Sequence, residues 1–525
     1  MKDESAGPEW FLSYSDKVNI AAWRGPDCNK RRNKTITTIV LSPFWDWVAS
    51  LVPRTVAPNI LTLAGFTCTL QAYYLVYFHM DQNPQIVSFT AMMLIFAYMT
   101  LNSIDGIHAR RVRNVSPVGD LFRKSCDNIG CVFLTLTLLS VLGITEGATA
   151  WYIVQTTQMF FMIEQMRAWM QPSGELIHGI FSGPGEALAL LMAILGVRAT
   201  FGLSWIYKTY VHVMNSYIIP YVVNYFVHTR VWDEGDPDAI GRDTVKWFYY
   251  LIAGIVVMTA LALGKERSRF SLLICICYRL IPAVFIWISG SSFSSSYTDL
   301  KSVICDGLFL SVLTTDIVVA KRARRRIHPW VILMCMASIF NYFISLGLVM
   351  FYYVTILAEL SLYMNLPLLT LTTNVYCDGV YDLCHKGHKN LFQAALTFGN
   401  RLLVGVMSDE DCEQYKRRPI MTTDERCKEV NSCKAVHKAI PLPHDYSKTG
   451  LTREFIEEHN IHIVAHGAEY NLDNEAYAKK IAEGACIDYY KVPREMGITR
   501  TFPRTEGIST SDLIKRIVSR ADEFT

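Results

Sequence analysis

Across residues 59–365 the chain is a succession of apolar segments of roughly 17 to 23 residues, each long enough to cross a bilayer as a helix, and about ten such spans are expected. Beyond Pro367 the pattern changes to short apolar runs among charged and polar residues. Strand, helix and strand are predicted at 373–377, 389–397 and 402–406, with a later strand at 461–465. That order implies a parallel sheet with right-handed crossovers. The expected fold class is a multi-pass α-helical membrane domain followed by a soluble α/β, Rossmann-like domain. The expected divisions are 1–57, an N-terminal segment with an interfacial helix; 58–365, the transmembrane domain; 366–371, a linker; and 372–525, the soluble domain.

Charge refines this organisation more than it suggests a partner. The net charge of +3 is small and no basic stripe is interleaved with aromatics, so nucleic acid is not an expected partner. Arg110, Arg111, Arg113, Lys124 and the basic runs at 265–269 and 321–326 fall on one side of the counted spans. The positive-inside rule then puts both termini in the cytosol. The first 35 residues are too polar for a signal peptide, which leaves the first span to direct insertion. Trp45 and Trp47 suit a helix lying at the headgroups. Glu164, Arg167, Glu186, Arg279, Asp306 and Asp316 lie at membrane depth and are expected to face the bundle or the cytosolic vestibule. The 14 cysteines form no paired CxxC framework, so free thiols are expected, with Cys384 a packing residue rather than a nucleophile.

Candidate chemistry concentrates in two C-terminal segments, VYCDGVYDLCHKGH at 375–388 and RTEGISTS at 504–511. His385 and His388 flank Gly387 where a helix should start, and backbone N–H groups there attract anions. Nucleotidyl transfer needs such a place, because its main task is to stabilise a crowded anionic phosphorus. The two imidazoles suit donation to the α-phosphate of a nucleoside triphosphate, while Lys416 and Arg504 suit the incoming phosphate and the departing pyrophosphate. Ser509, Thr510 and the start of the last helix offer a further phosphate cradle. His466 follows a later strand, and ligands of such sheets bind beyond the carboxyl ends of strands.

The two segments resemble the paired signatures of the CTP:phosphocholine and CTP:phosphoethanolamine cytidylyltransferases over about 150 residues in matching order. The resemblance implies a nucleotidyltransferase that uses CTP with Mg²⁺ and takes phosphocholine or phosphoethanolamine. It implies that Val380, Tyr381, His385, Gly387 and His388 line the CTP site, that Lys416 is the catalytic lysine, and that His466, Tyr470, Arg504, Thr505 and Ile508 contact the nucleotide. The chain departs from the phosphocholine pattern at Gly467, where an Asp is usual, and at 441–446, where a Trp is usual; Tyr446 or Tyr470 would supply an aromatic face instead. RTEGISTS has the choline form, whereas Cys377 and His466-Gly467 have the ethanolamine form. Phosphocholine is the preferred expectation.

In the membrane region, Asp105, Gly106, Ala109, Arg110, Gly119 and Asp127 have the spacing DGxxAR…G…D. With Pro58-Asn59 and the GPGE run at 183–186, this resembles the CDP-alcohol phosphotransferases, specifically those for choline and ethanolamine. The resemblance implies four aspartates holding two divalent cations, but here the first position is Asn102, the third is Arg123 and the following histidine is Lys124. Asp105 and Asp127 remain as candidate metal ligands. Arg123 and Lys124 are expected either to pair with Asp105 and Asp127 in a neutralised cleft or to bind a diphosphate without metal. Glu164 and Glu186 match positions near the nucleotide pocket.

The sequence thus points to a cytidylyltransferase fixed to the endoplasmic reticulum or another endomembrane, its C-terminal domain cytosolic, by a membrane domain without phosphotransferase activity. A bifunctional enzyme that also transfers the headgroup to diacylglycerol, and a non-catalytic scaffold binding CDP-alcohols, are the alternatives. A homodimer is implied by resemblance alone.

Overall fold

The computed structural model describes residues 9–22, 35–144, 146–170, 183–213, 237–262, 268–288, 299–339, 341–364, 366–415, 418–483, 487–503, 505 and 507–524. The chain divides into two compact units, one formed by 1–109 and 115–369, the other by 370–525 with the short segment 110–114.

The first unit is helical: α1 (Tyr14–Ala21), α2 (Ile36–Leu51), α3 (Pro58–His79), α4 (Pro84–Arg111), α5 (Pro117–Val141), α6 (Gly147–Met170), α7 (Pro184–Val213), α8 (Pro237–Ala262), α9 (Ser268–Ile288), α10 (Leu300–Ala323), α11 (Pro329–Ala337) and α12 (Tyr342–Met364). Proline at the first turn starts several of them, where its missing N–H has no intrahelical partner to lose. Among the described residues seven helices are long and apolar enough to cross a membrane, against the about ten expected from segment length. The apolar part of α9 is too short, and α6 carries Gln155, Gln158, Glu164 and Arg167.

Helix α10 is the buried axis of this unit, packed against α5, α6 and α12. Its two aspartates are paired inside the bundle, as ionisable groups at that depth must be. Asp306 meets Arg279 at 2.9 Å and accepts from the Trp151 indole, and Asp316 meets Arg325 at 2.7 Å and accepts from the Tyr352 hydroxyl. Glu164 and Arg167 pair with each other at 3.0 Å on a more open face. Glu186 accepts from the backbone and hydroxyl of Thr37 at the start of α2. On α2 itself Trp45 is buried and Trp47 is exposed.

The second unit is a five-stranded parallel sheet: β1 (Asn374–Gly379), β2 (Arg401–Val406), β3 (Lys438–Pro441), β4 (Ile461–Gly467) and β5 (Thr499–Phe502). Strand order β3-β2-β1-β4-β5 places the topological switch between β1 and β4. Helix α13 (Lys386–Leu396) follows β1, and α14 (Thr510–Ser519) lies near the C-terminal end. The central strands are apolar on both faces because both are covered. Val375, Cys377, Val404 and Val406 join one core, and Tyr376, Leu403, Ile440 and Val464 the other. The edge strands β3 and β5, which contain Lys438, Arg500 and a terminal Pro441, carry no such signal and were not anticipated.

Parallel pairing sets Asp378 opposite Gly405, and the buried Tyr376 ring lies over that glycine. A Cβ on Gly405 would fall 2.9 Å from the ring carbon Cζ of Tyr376 and 3.1 Å from Leu442. Gly405→Ala is therefore expected to destabilise the soluble unit by about 1–3 kcal/mol through overpacking, lowering its unfolding midpoint. Thermal unfolding of the full chain followed by near-UV circular dichroism checks this; an unchanged midpoint would contradict the packing described.

Candidate functional site

At the carboxyl end of β1 the backbone turns through Tyr381 and Leu383, both in the left-handed region, before α13 begins. Asp382 secures the far side of this turn by accepting from the backbone N–H groups of Ile420 and Met421, each at 3.0 Å. The fully buried Arg426 donates to the Val380 carbonyl at 2.7 Å and pairs with Asp409. Tyr381 is buried, with its ring edge toward His388.

His385 is the N-cap of α13. Its Nδ1 accepts from the Gly387 N–H at 3.1 Å, and Nδ1 of His388 accepts from the His385 N–H at 3.4 Å. The rings stack at 3.9 Å, 18° from parallel. Because both Nδ1 atoms accept, the proton of each neutral ring resides on Nε2. Two N–H donors on parallel rings at the N-terminus of a helix form an arrangement suited to phosphate oxygens.

The RTEGISTS segment lies against this pair. Ile508 touches the space over Gly387, so that a Cβ there would be 3.4 Å from its methyl group and 3.0 Å from the His385 ring. Thr510 donates to the Asp382 carbonyl at 3.2 Å, and its hydroxyl is 3.4 Å from His385 Nε2. Ser509 caps α14 by accepting from the Asp512 N–H and donating to its carboxylate. Thr505 is half-buried between β5 and α14. Lys416 and Arg504 lie outside the described residues.

A second group of residues, mostly unanticipated, assembles on the other side of the switch point. Asp378 ends β1 and accepts from the hydroxyls of Tyr446 and Tyr490. Burial pushes its carboxyl above the usual range, opposed by those two hydroxyls and by nearby His466. His466, at the end of β4, stacks on Tyr490 at 4.3 Å, and burial holds its imidazole below the usual value. Tyr470 presents its edge to Tyr490, and Tyr489 lies parallel to Tyr446. Asp378 and Tyr490 had no local sequence signal; only the sheet brings their segments together. Cys384 is half-buried 4.0 Å from Cys433, and burial raises its thiol to about 12, in keeping with a packing role.

In the membrane unit the motif residues lie on α4 and at the start of α5. Gly106, Ala109 and the exposed Arg110 follow Asp105 along α4. Gly119 allows close approach, since a Cβ there would come within 3.0 Å of the Asn59 amide oxygen. Asp105 accepts from the Thr62 hydroxyl at 2.7 Å and faces Arg123 at 3.9 Å. Asp127 accepts from Asn102 at 2.9 Å and from Tyr98 at 3.1 Å. Lys124 does not pair with Asp127 as expected; it faces Asp120 at 4.0 Å, which also meets Arg123 at 3.5 Å and Arg322. Asp120 precedes Lys124 by one helical turn, so it intercepts the ammonium. Among the described residues no three His, Cys, Asp or Glu side chains converge as a metal would need. The amide and guanidinium at 102 and 123 donate hydrogen bonds or face carboxylates where ligand oxygens are required, so the residues at these four positions do not fit two divalent cations.

These two sites have separate relatives. The family profile "Cytidylyltransferase-like" matches residues 376–516, and "CDP-alcohol phosphatidyltransferase" matches 55–219. A CDP-alcohol phosphatidyltransferase class-I family protein of Dictyostelium discoideum is 31% identical over 207 residues, 38% of this chain and 48% of that protein. Choline-phosphate cytidylyltransferase 2 of Arabidopsis thaliana is 38% identical over 152 residues, 29% of this chain and 46% of that protein. Ethanolamine-phosphate cytidylyltransferase of Mus musculus is 33% identical over 144 residues, 27% of this chain and 32% of that protein. The chain spans less than half the length of each of these relatives. The chain therefore joins a CDP-alcohol phosphatidyltransferase domain, built of membrane helices, to a cytidylyltransferase-like α/β domain.

Proposed function

We propose that the soluble unit transfers the cytidylyl group of CTP to phosphocholine, giving CDP-choline and pyrophosphate for phospholipid synthesis. The observation that carries this reading is the stacked His385–His388 pair, whose Nδ1 atoms are occupied by backbone donors and whose ring protons are thereby on Nε2. A phosphate oxygen of phosphocholine attacks the α-phosphorus of CTP, and the bond from that phosphorus to the bridging oxygen breaks as pyrophosphate leaves. The imidazole N–H groups donate to the α-phosphate oxygens, where negative charge is most crowded in the transition state. Val380, Tyr381 and Gly387 shape the CTP side of the turn; Thr505, Ile508, Ser509 and Thr510 close it. Lys416 and Arg504 are assigned by motif to the phosphates. Mg²⁺ entering with CTP would neutralise part of the phosphate charge.

Phosphocholine is favoured by the Asp378 cluster. A trimethylammonium group has no N–H to donate and is bound by aromatic faces and a negative charge, whereas a primary ammonium needs acceptors. Each Asp378 oxygen already accepts a phenol, and the surroundings are tyrosines 446, 470, 489 and 490 with His466. Tyr446 thus supplies an aromatic ring from the stretch that lacks the usual tryptophan. The membrane unit serves as a permanent anchor in an endomembrane with the soluble unit on the cytosolic side, and the ion pairs in its motif weigh against headgroup transfer to diacylglycerol.

His385→Ala and His388→Ala are each expected to lower kcat for pyrophosphate release from CTP and phosphocholine by about 10²- to 10³-fold. Full turnover in either variant would end the proposal. Wild-type enzyme is expected to prefer phosphocholine to phosphoethanolamine in kcat/KM, and Asp378→Asn to raise KM for phosphocholine by about tenfold while changing KM for CTP little. Steady-state kinetics with both amines decide this, and a preference for phosphoethanolamine would reverse the substrate assignment.

A further inference from the structure

The polar cluster of α4 and α5 is balanced within itself. Asp105, Asp120 and Asp127 bring three negative charges, and Arg123, Lys124 and Arg322 bring three positive ones. Positions 102 and 127 meet across the two helices at 2.9 Å, and positions 105 and 123 face each other at 3.9 Å. Four side chains thus converge from two helices, and one of them is a guanidinium. Asp105 is buried and Asp127 half-buried, and carboxylates so placed gain from a cation among them.

We propose that Arg123 is the built-in cation of this cluster, doing the electrostatic work of a divalent ion. The α4–α5 pair consequently closes without metal, and aspartate at positions 102 and 123 converts the same place into a divalent-cation site. The proposal rests on the reading of the membrane unit as an anchor and extends it by naming the group that excludes metal. A doubly charged ion would meet the guanidinium at short range and be repelled. A diphosphate would find no net attraction, because the charges of the cluster already cancel. Asp120 makes the arrangement tolerable: it gives Arg123 a second carboxylate and compensates both Lys124 and Arg322.

The test uses the purified full-length protein without nucleotide and measures bound Mn²⁺ by electron paramagnetic resonance. Wild type and Asp105→Asn/Asp127→Asn are expected to bind the same amount, and Asn102→Asp/Arg123→Asp to bind more. Mn²⁺ should raise the unfolding temperature of that last variant and leave the wild type unmoved. Loss of wild-type Mn²⁺ binding in Asp105→Asn/Asp127→Asn would overturn the proposal, as would a folded Asn102→Asp/Arg123→Asp protein that gains none. Should this variant not fold, Arg123→Lys and Arg123→Gln decide: the lysine variant should keep the wild-type unfolding temperature and the glutamine variant lose it, and equal temperatures would refute the role of the charge. Cytidylyl transfer by the same preparations reports on the soluble unit alone, so its absence leaves the metal comparison interpretable.

Discussion

Two backbone N–H groups that donate to imidazole nitrogens set the tautomers on which the proposed cytidylyl transfer depends. Had the Nδ1 atoms of His385 and His388 carried the protons, the rings would turn acceptors toward an incoming triphosphate, and anion would meet lone pair. The short capping geometry of α13 prevents this, because the Gly387 and His385 amides need acceptors and find them in the rings. The left-handed residues Tyr381 and Leu383, the Asp382 carboxylate and the buried Arg426 hold the turn in which this is achieved. Parallel pairing of β1 with β2 and β4 then delivers the turn to the edge of the switch-point crevice.

Buried carboxylates pose one recurring problem, and the chain answers it in three ways. Asp378 is met by two phenol hydroxyls, which lower the cost of its burial without cancelling its charge, so a cationic substrate group would still gain from approaching it. Asp306 and Asp316 are met by arginines within the bundle and are electrically complete. Asp105 and Asp127 are met by two hydroxyls, an amide and a guanidinium. The first solution keeps a site open to a charged ligand, and the others consolidate structure.

Much of this was legible without coordinates. Span-length apolar segments, the βαβ alternation and the two histidines around Gly387 follow from local rules of period, propensity and capping, and all three appear in the structure. The described residues hold seven such helices rather than about ten, and apolar length alone does not reveal that α6 is studded with amides and charges. β3 and β5 escaped notice because short edge strands bury little and carry polar residues. Substitution of metal-ligand positions by Asn102 and Arg123 was readable from spacing, but the partner of Lys124 was not.

The sequence by itself determined which residues have the chemistry: imidazoles at a helix start, cations in place of carboxylates, and a change of composition near residue 370. Those are properties of neighbours along the chain, and helix and strand periods expose them. Tertiary structure alone decided that Asp378 is ringed by Tyr446 and Tyr490, that Thr510 reaches His385, and that Arg322 joins Asp120. Each of these pairs is distant in sequence and close only through sheet order or helix packing, so no local pattern encodes it.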